Sequence, residues 1–174
     1  MKKIWLILSL LLLSSCAMTD VNHYKDVKPV LDLEKYFIGT TDAWGMFQQR
    51  DGAVIKRFHV ILEGKKINDQ LILDEQFKYD DGTTQQRIWR LKKRADGSWI
   101  GLADDVKGEA IGQIAGNALN WRYTLLVPVD GSIYEMQMDD WMYLMDDDSM
   151  INRASMRKFG VEFGQVTLFF RRRT

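Results

Sequence analysis

From Trp44 onward, apolar and polar residues alternate in short runs, and the runs are separated by turn pairs at Asp51-Gly52, Asp81-Gly82, Asp96-Gly97, Asp130-Gly131 and Phe159-Gly160. A period of two puts successive side chains on opposite faces of a strand, and Asp-Gly pairs supply the left-handed backbone of tight hairpins. The pattern predicts about eight or nine strands, at residues 43–50, 53–63, 69–79, 83–93, 98–106, 117–128, 132–145, 150–158 and 161–171. A short helix is expected between Leu31 and Phe37. A meander of this kind either stays an open curved sheet or closes, and closure removes both exposed edges. The expected fold is all-β, an antiparallel up-and-down meander closed into a barrel.

The alternation also says which side chains face inward. In 69–79, Leu71, Leu73, Glu75, Phe77 and Tyr79 share the apolar face, and Gln70, Asp74, Gln76 and Lys78 take the other. A three-residue loop at Asp80, Asp81 and Gly82 would set Phe77 against Gln85, Glu75 against Arg87, Leu73 against Trp89 and Leu71 against Leu91. The same loop at Ala95, Asp96 and Gly97 would pair Leu91 with Gly101, Trp89 with Ala103 and Arg87 with Asp105. The interior is then expected to hold an acid, base, acid row of Glu75, Arg87 and Asp105. Trp121 and Tyr123 join that face from 117–128, and Met136 and Met138 from 132–145. Asp140 follows them inward unless Asp139-Asp140 forms a bulge.

The chain begins differently. Lys2 and Lys3 precede an apolar run from Ile4 to Leu13, the layout of a secretory signal and too short to span a bilayer. The run ends in Leu13-Ser14-Ser15-Cys16, which fits the lipobox of bacterial lipoproteins. Cys16 is the only cysteine, so an internal disulfide is excluded. The expected organisation is a signal at 1–15, a lipid-carrying Cys16 with a tether through 28, and a barrel domain at 29–174. Two or more acyl chains at Cys16 would make anchoring effectively permanent. Ala17, where aspartate would signal inner-membrane retention, points to the outer membrane with the domain facing the periplasm. Extended at about 3.3 Å per residue, Ala17 to Val27 would reach ~35 Å.

Charge and motif content narrow the chemistry. Twenty-four Lys and Arg balance 24 Asp and Glu, and the charges are scattered, so a nucleic-acid partner is not expected. Arg171 to Arg173 form a solvated tail or contact anionic lipid. His23 falls in the tether and His59 stands alone on a strand, facing solvent. No serine lies in a nucleophile elbow; no catalytic residue, metal site or cofactor is expected. Gly108, Gly112 and Gly116 suggest kinks or a flexible crossing between strands. Asp146 to Asp148 lack the spacing of a calcium loop and are expected as a solvated turn.

Phe37, Gly39 and Trp44 resemble the glycine and tryptophan signature at the base of lipocalin barrels. The segments Tyr36-Phe37-Ile38-Gly39, Glu75-Gln76-Phe77-Lys78-Tyr79, Arg87-Ile88-Trp89, Asp139-Asp140-Trp141-Met142-Tyr143 and Asn152-Arg153-Ala154 resemble a family of bacterial lipoproteins defined as a domain of unknown function. That resemblance spans nearly the whole mature chain and implies a lipocalin-like envelope protein, without assigning site residues.

The candidate ligand contacts come from the inward faces: Glu75, Phe77, Tyr79, Arg87, Trp89, Asp105, Trp121, Tyr123, Met136, Met138 and Asp140. Arg87 would meet a carboxylate or phosphate head group and the Met and aromatic wall an acyl chain. The expected function is binding or shuttling of a fatty acid, phospholipid or other amphipathic molecule. Two other classes compete: an envelope assembly or structural lipoprotein with a filled barrel, and an enzyme acting on a lipid-like substrate with Glu75 or Asp140 as general base.

Overall fold

The structure, a computed structural model, describes residues 19–173. Ten strands follow one another: β1 Gly39–Gln49, β2 Val54–Ile67, β3 Gln70–Tyr79, β4 Thr84–Lys93, β5 Trp99–Leu102, β6 Ala110–Ala115, β7 Ala118–Val129, β8 Ser132–Leu144, β9 Ser149–Lys158 and β10 Val161–Arg172. Each pairs antiparallel with its neighbour in sequence, and β10 returns to pair with β1, closing an up-and-down barrel. Closure pairs the two outermost strands, while β4 is paired with β5 only over Arg90–Lys93 and the loop after β5 covers part of β7.

The strand count exceeds the expected eight or nine because β6 lies in the segment read as a glycine-rich crossing. Its fully buried inward positions, Ala110 and Gly112, are too small to register as an apolar face, which leaves Ile114 as the one large inward side chain of the strand. They are small for a reason. Trp121 on β7 fills the space across Gly101 and Gly112, where an added Cβ would stand 2.5 Å from ring carbon Cζ2 and 2.1 Å from Cε3 respectively. Gly112→Ala is therefore expected to cost about 1–3 kcal/mol by overpacking against the indole. Urea unfolding checks this, with Gln113→Ala on the exposed face expected to stay within about 0.5 kcal/mol of wild type.

The predicted hairpin geometry forms. The Tyr79 N–H donates to Thr83 O at 2.9 Å, and Gly82 takes φ +83°. The Arg94 N–H likewise donates to Ser98 O at 2.8 Å, and Gly97 takes φ +86°. These loops set Glu75 opposite Arg87, Leu73 opposite Trp89 and Leu91 opposite Gly101, as the pattern requires. β5 stops at Leu102, so Asp105 arrives on a loop, held where the Leu126 N–H donates to Asp105 O at 2.8 Å. Asp139-Asp140 is no bulge: the β7–β8 ladder runs unbroken and Asp140 faces inward, buried.

One end of the barrel is plugged. Helix α1, Leu33–Phe37, is capped by Asp32, whose carboxylate accepts from the Lys35 N–H at 3.1 Å, and it buries Leu33, Tyr36 and Phe37. Phe37 meets Phe170 edge-on with centroids 6.0 Å apart. The Tyr36 hydroxyl donates to Asp148 O at 3.1 Å, while the Asp146 carboxylate accepts from the N–H groups of Asp148 and Ser149. The acidic turn thus latches the plug.

Two expectations need correction. The C-terminal part of the 16–28 tether is not free: the 3₁₀ turn Val21–Tyr24 lies on the outer wall, with Val21 buried. The Tyr24 ring sits 5.9 Å from Trp141 and 5.4 Å from Tyr143, and the Leu31 N–H donates to Gly116 O at 2.8 Å. Outward aromatic rings on β8 need cover, and this segment provides it. The signal at 1–15 and Cys16 lie outside the described residues. Trp44, second, is no basal core residue; it projects from the outer wall, half exposed, between Phe169 and His59. His59 faces outward as expected, and its Nε2 lies 2.9 Å from Asp42 Oδ1.

Candidate functional site

Because inward positions of β1–β4 and β7–β10 surround a space that the plug fills only at one end, the barrel keeps an internal cavity of ≈ 330 Å³. Leu33 and Phe37 form its floor. It extends to Gln85 and Pro128, which line it and are exposed, so it reaches solvent near the β3–β4 and β7–β8 hairpins. Of the sequence-derived candidates, Glu75, Phe77, Tyr79, Arg87, Trp89, Asp105, Trp121, Tyr123, Met138 and Asp140 all line this cavity. Met136 does not. It is buried behind the lining, packed with Met138 and Ala154, so its inward alternation produces core.

The buried polar wall has two parts, and Lys56, Tyr79 and Gln85 add polar groups towards the mouth. Arg87 grips Asp105 in a fork, with Nε at 2.9 Å and Nη2 at 2.7 Å from Oδ2. Its third nitrogen, Nη1, is 3.7 Å from Glu75 Oε2, and that oxygen is buried with no hydrogen-bond partner. In the second part, Asp140 accepts from the Tyr123 hydroxyl at 3.3 Å and from the Asn152 amide, which also donates to Trp141 O at 3.0 Å. Asn152 was not among the expected residues. A polar residue alternating with Met150 and Ala154 on an inward face is the signal that marks it.

Three acids, Glu75, Asp105 and Asp140, thus share one base. Asp105 takes Arg87, and the other two sit in a poor solvent for charge. Burial pushes the Glu75 carboxyl up to about 7, against the pull of Arg87. Burial likewise raises Asp140 to about 6, although Asn152 and Tyr123 favour its charged form. At mildly acidic pH both are protonated, and Glu75 becomes a donor beside the uncommitted Nη1. Among the described residues no cluster of His, Cys, Asp and Glu has the arrangement to hold a metal.

A family model described as "protein of unknown function (DUF3833)" matches residues 10–172. The chain belongs to the DUF3833 family. No curated protein matches it. Among solved structures, this DUF3833 chain is similar to a protein of unknown function from the DUF3598 family of Nostoc punctiforme PCC 73102. The TM-score is 0.58 at 12% identity, over 84% of this chain and 51% of that one. The DUF3833 chain therefore spans about half the length of that structure, and the likeness is one of fold alone.

Proposed function

We propose that this DUF3833 barrel is a carrier that binds a single-chain amphipathic lipid, with a fatty acid as the leading candidate, and works from a lipid anchor at Cys16 in the periplasm-facing leaflet of the outer membrane. The observation that carries this reading is the cavity itself. At ≈ 330 Å³ it lies at the small end of small-molecule pockets, which favours one acyl chain over a two-chained phospholipid. Its wall is mainly apolar, with buried polar groups at Glu75, Arg87 and Asp105 and at Asp140, Tyr123 and Asn152, and with Lys56, Tyr79 and Gln85 towards the mouth. Arg87 does not offer its full fork, because Asp105 holds it. The head-group contact is instead Nη1 together with the protonated Glu75 carboxyl, two donors converging on a ligand oxygen. The lipobox at 13–16 supports the anchor.

A second reading, catalysis on a lipid-like substrate, is favoured by the two cavity acids whose protons titrate near neutral pH.

The test is native mass spectrometry with lipid extraction on residues 19–174, together with a palmitate titration followed by the fluorescence of wall residues Trp89 and Trp121. Ala154→Leu, which adds volume at a buried cavity position, is the control. A bound lipid, or saturable palmitate binding, that weakens at least about tenfold in the folded variant supports the carrier. An empty protein that gives no palmitate response overturns it. Palmitoyl esters hydrolysed by wild type but not by Glu75→Gln would favour the enzyme.

A further inference from the structure

The cavity mouth has an apolar side and a polar side. Three hairpins that are neighbours around the barrel, β7–β8, β9–β10 and β1–β2, carry exposed apolar residues at or beside their tips: Ile133, Tyr134, Phe159, Phe163, Val54 and Ile55. The opposite side of the rim carries paired charges, Asp80 and Asp81 on the β3–β4 tip with Arg57 and Lys56, and Asp104 on the β5–β6 loop with Arg90.

Two features say that these residues are not incidental. Hairpin tips ordinarily carry Gly, Asn or Asp, which accept left-handed backbone without strain. Phe159 occupies such a position, with φ +51°, and is 91% exposed. A bulky residue there is strained, and little within the chain rewards it. Beside it, Lys158 Nζ stands 4.2 Å from the Tyr134 ring and 5.5 Å from the Phe159 ring. An amphipathic lysine between aromatic rings is the arrangement that suits the boundary between water and hydrocarbon. Lys158 and Arg50 form no ion pair among the described residues, whereas Glu135 and Glu162 are paired with Lys107 and Arg157 at 2.7 and 3.6 Å. Asp51 and Asp130 are the lip acids without a basic partner.

The lip is also continuous with the cavity, since Phe47, Val127 and Pro128 line the cavity on the same hairpins. Apolar side chains on separate protruding tips suit insertion into a fluid better than a fitted protein surface.

We propose that this lip docks the barrel mouth onto a phospholipid surface, so that an apolar ligand passes between bilayer and cavity without crossing water. The transfer step rests on the carrier reading; the docking step does not.

Flotation of residues 19–174 with vesicles of phosphatidylethanolamine and phosphatidylglycerol tests docking with no ligand present. Those residues contain all ten strands and the plug. Wild type is expected to float, and Phe159→Asp combined with Ile133→Asp to lower the bound fraction at least about tenfold. Ile67→Asp, at an exposed position on the plugged end, is expected to leave it unchanged. No flotation of wild type, or equal flotation of the lip variant, overturns docking and leaves the lip to a protein partner. Palmitate titration of the same variant in solution separates the two proposals: retained binding alongside lost flotation is the expected result, and the cavity reading fails only if wild type itself does not respond.

Discussion

Arg87→Met is expected to destabilise the barrel by about 3 kcal/mol at neutral pH, and Arg87→Met combined with Asp105→Leu to recover most of that loss. The asymmetry follows from what each change leaves behind. The single variant removes the base that three acids share and strands Asp105, whose side chain is only 25% exposed and depends on the guanidinium fork. Glu75, 14% exposed, loses its one nearby cation as well, but it can take up a proton instead. Replacing both members of a pair with apolar groups removes the desolvation cost along with the attraction, so a double change is mild where a single one is severe. Urea unfolding of the single and double variants checks the ordering. If the double variant is no more stable than Arg87→Met, the Asp105 fork is not the principal job of Arg87. Palmitate binding retained in a folded double variant would place the head group away from Nη1.

Most of the barrel was legible because its information is local. Asp80-Asp81-Gly82 and Ala95-Asp96-Gly97 state both loop length and backbone hand, and loop length fixes register. Glu75 opposite Arg87 and Leu91 opposite Gly101 follow without further input. β6 was hidden because Gly112, in the middle of its inward face, answers to Trp121 across the β6–β7 hairpin; a glycine selected by an indole on the next strand breaks the apolar alternation of its own strand. The same limit applies to Val21 and Tyr24. A short polar stretch without alternation looks free, yet it covers Trp141 and Tyr143, whose outward aromatic faces were the available clue. At the site, facing direction and the Glu75, Arg87 and Asp105 neighbourhood were legible, and the division of Arg87 between its two acids was not. Sequence placed Arg87 inside; only the three-dimensional loop shows that Asp105 claims two of its nitrogens and leaves Glu75 Oε2 unbonded.

The unbonded Glu75 oxygen makes a pH experiment informative about both stability and binding. Glu75 rises from 4.5 to about 7, worth about 3 kcal/mol, and Asp140 from 3.8 to about 6, worth a similar amount. Each folded-state value lies above the unfolded one, so the folded protein holds protons that the unfolded chain has already released. The stabilisation tied to those protons is complete below about pH 4 and is lost as pH rises, through about 6 for Asp140 and about 7 for Glu75. Glu75→Gln removes the Glu75 share while keeping a donor in place. The variant is therefore expected to match wild type near pH 4 and to be more stable by about 3 kcal/mol near pH 8, as read from urea unfolding across the range. Binding should follow the same proton. If the Glu75 carboxyl donates to a fatty acid oxygen, wild-type affinity for palmitate falls as pH climbs past 7, while the amide of Glu75→Gln continues to donate and its affinity stays level over that interval. A parallel fall in both proteins would assign the pH dependence to Asp140 or to the ligand and remove Glu75 from the head-group contact.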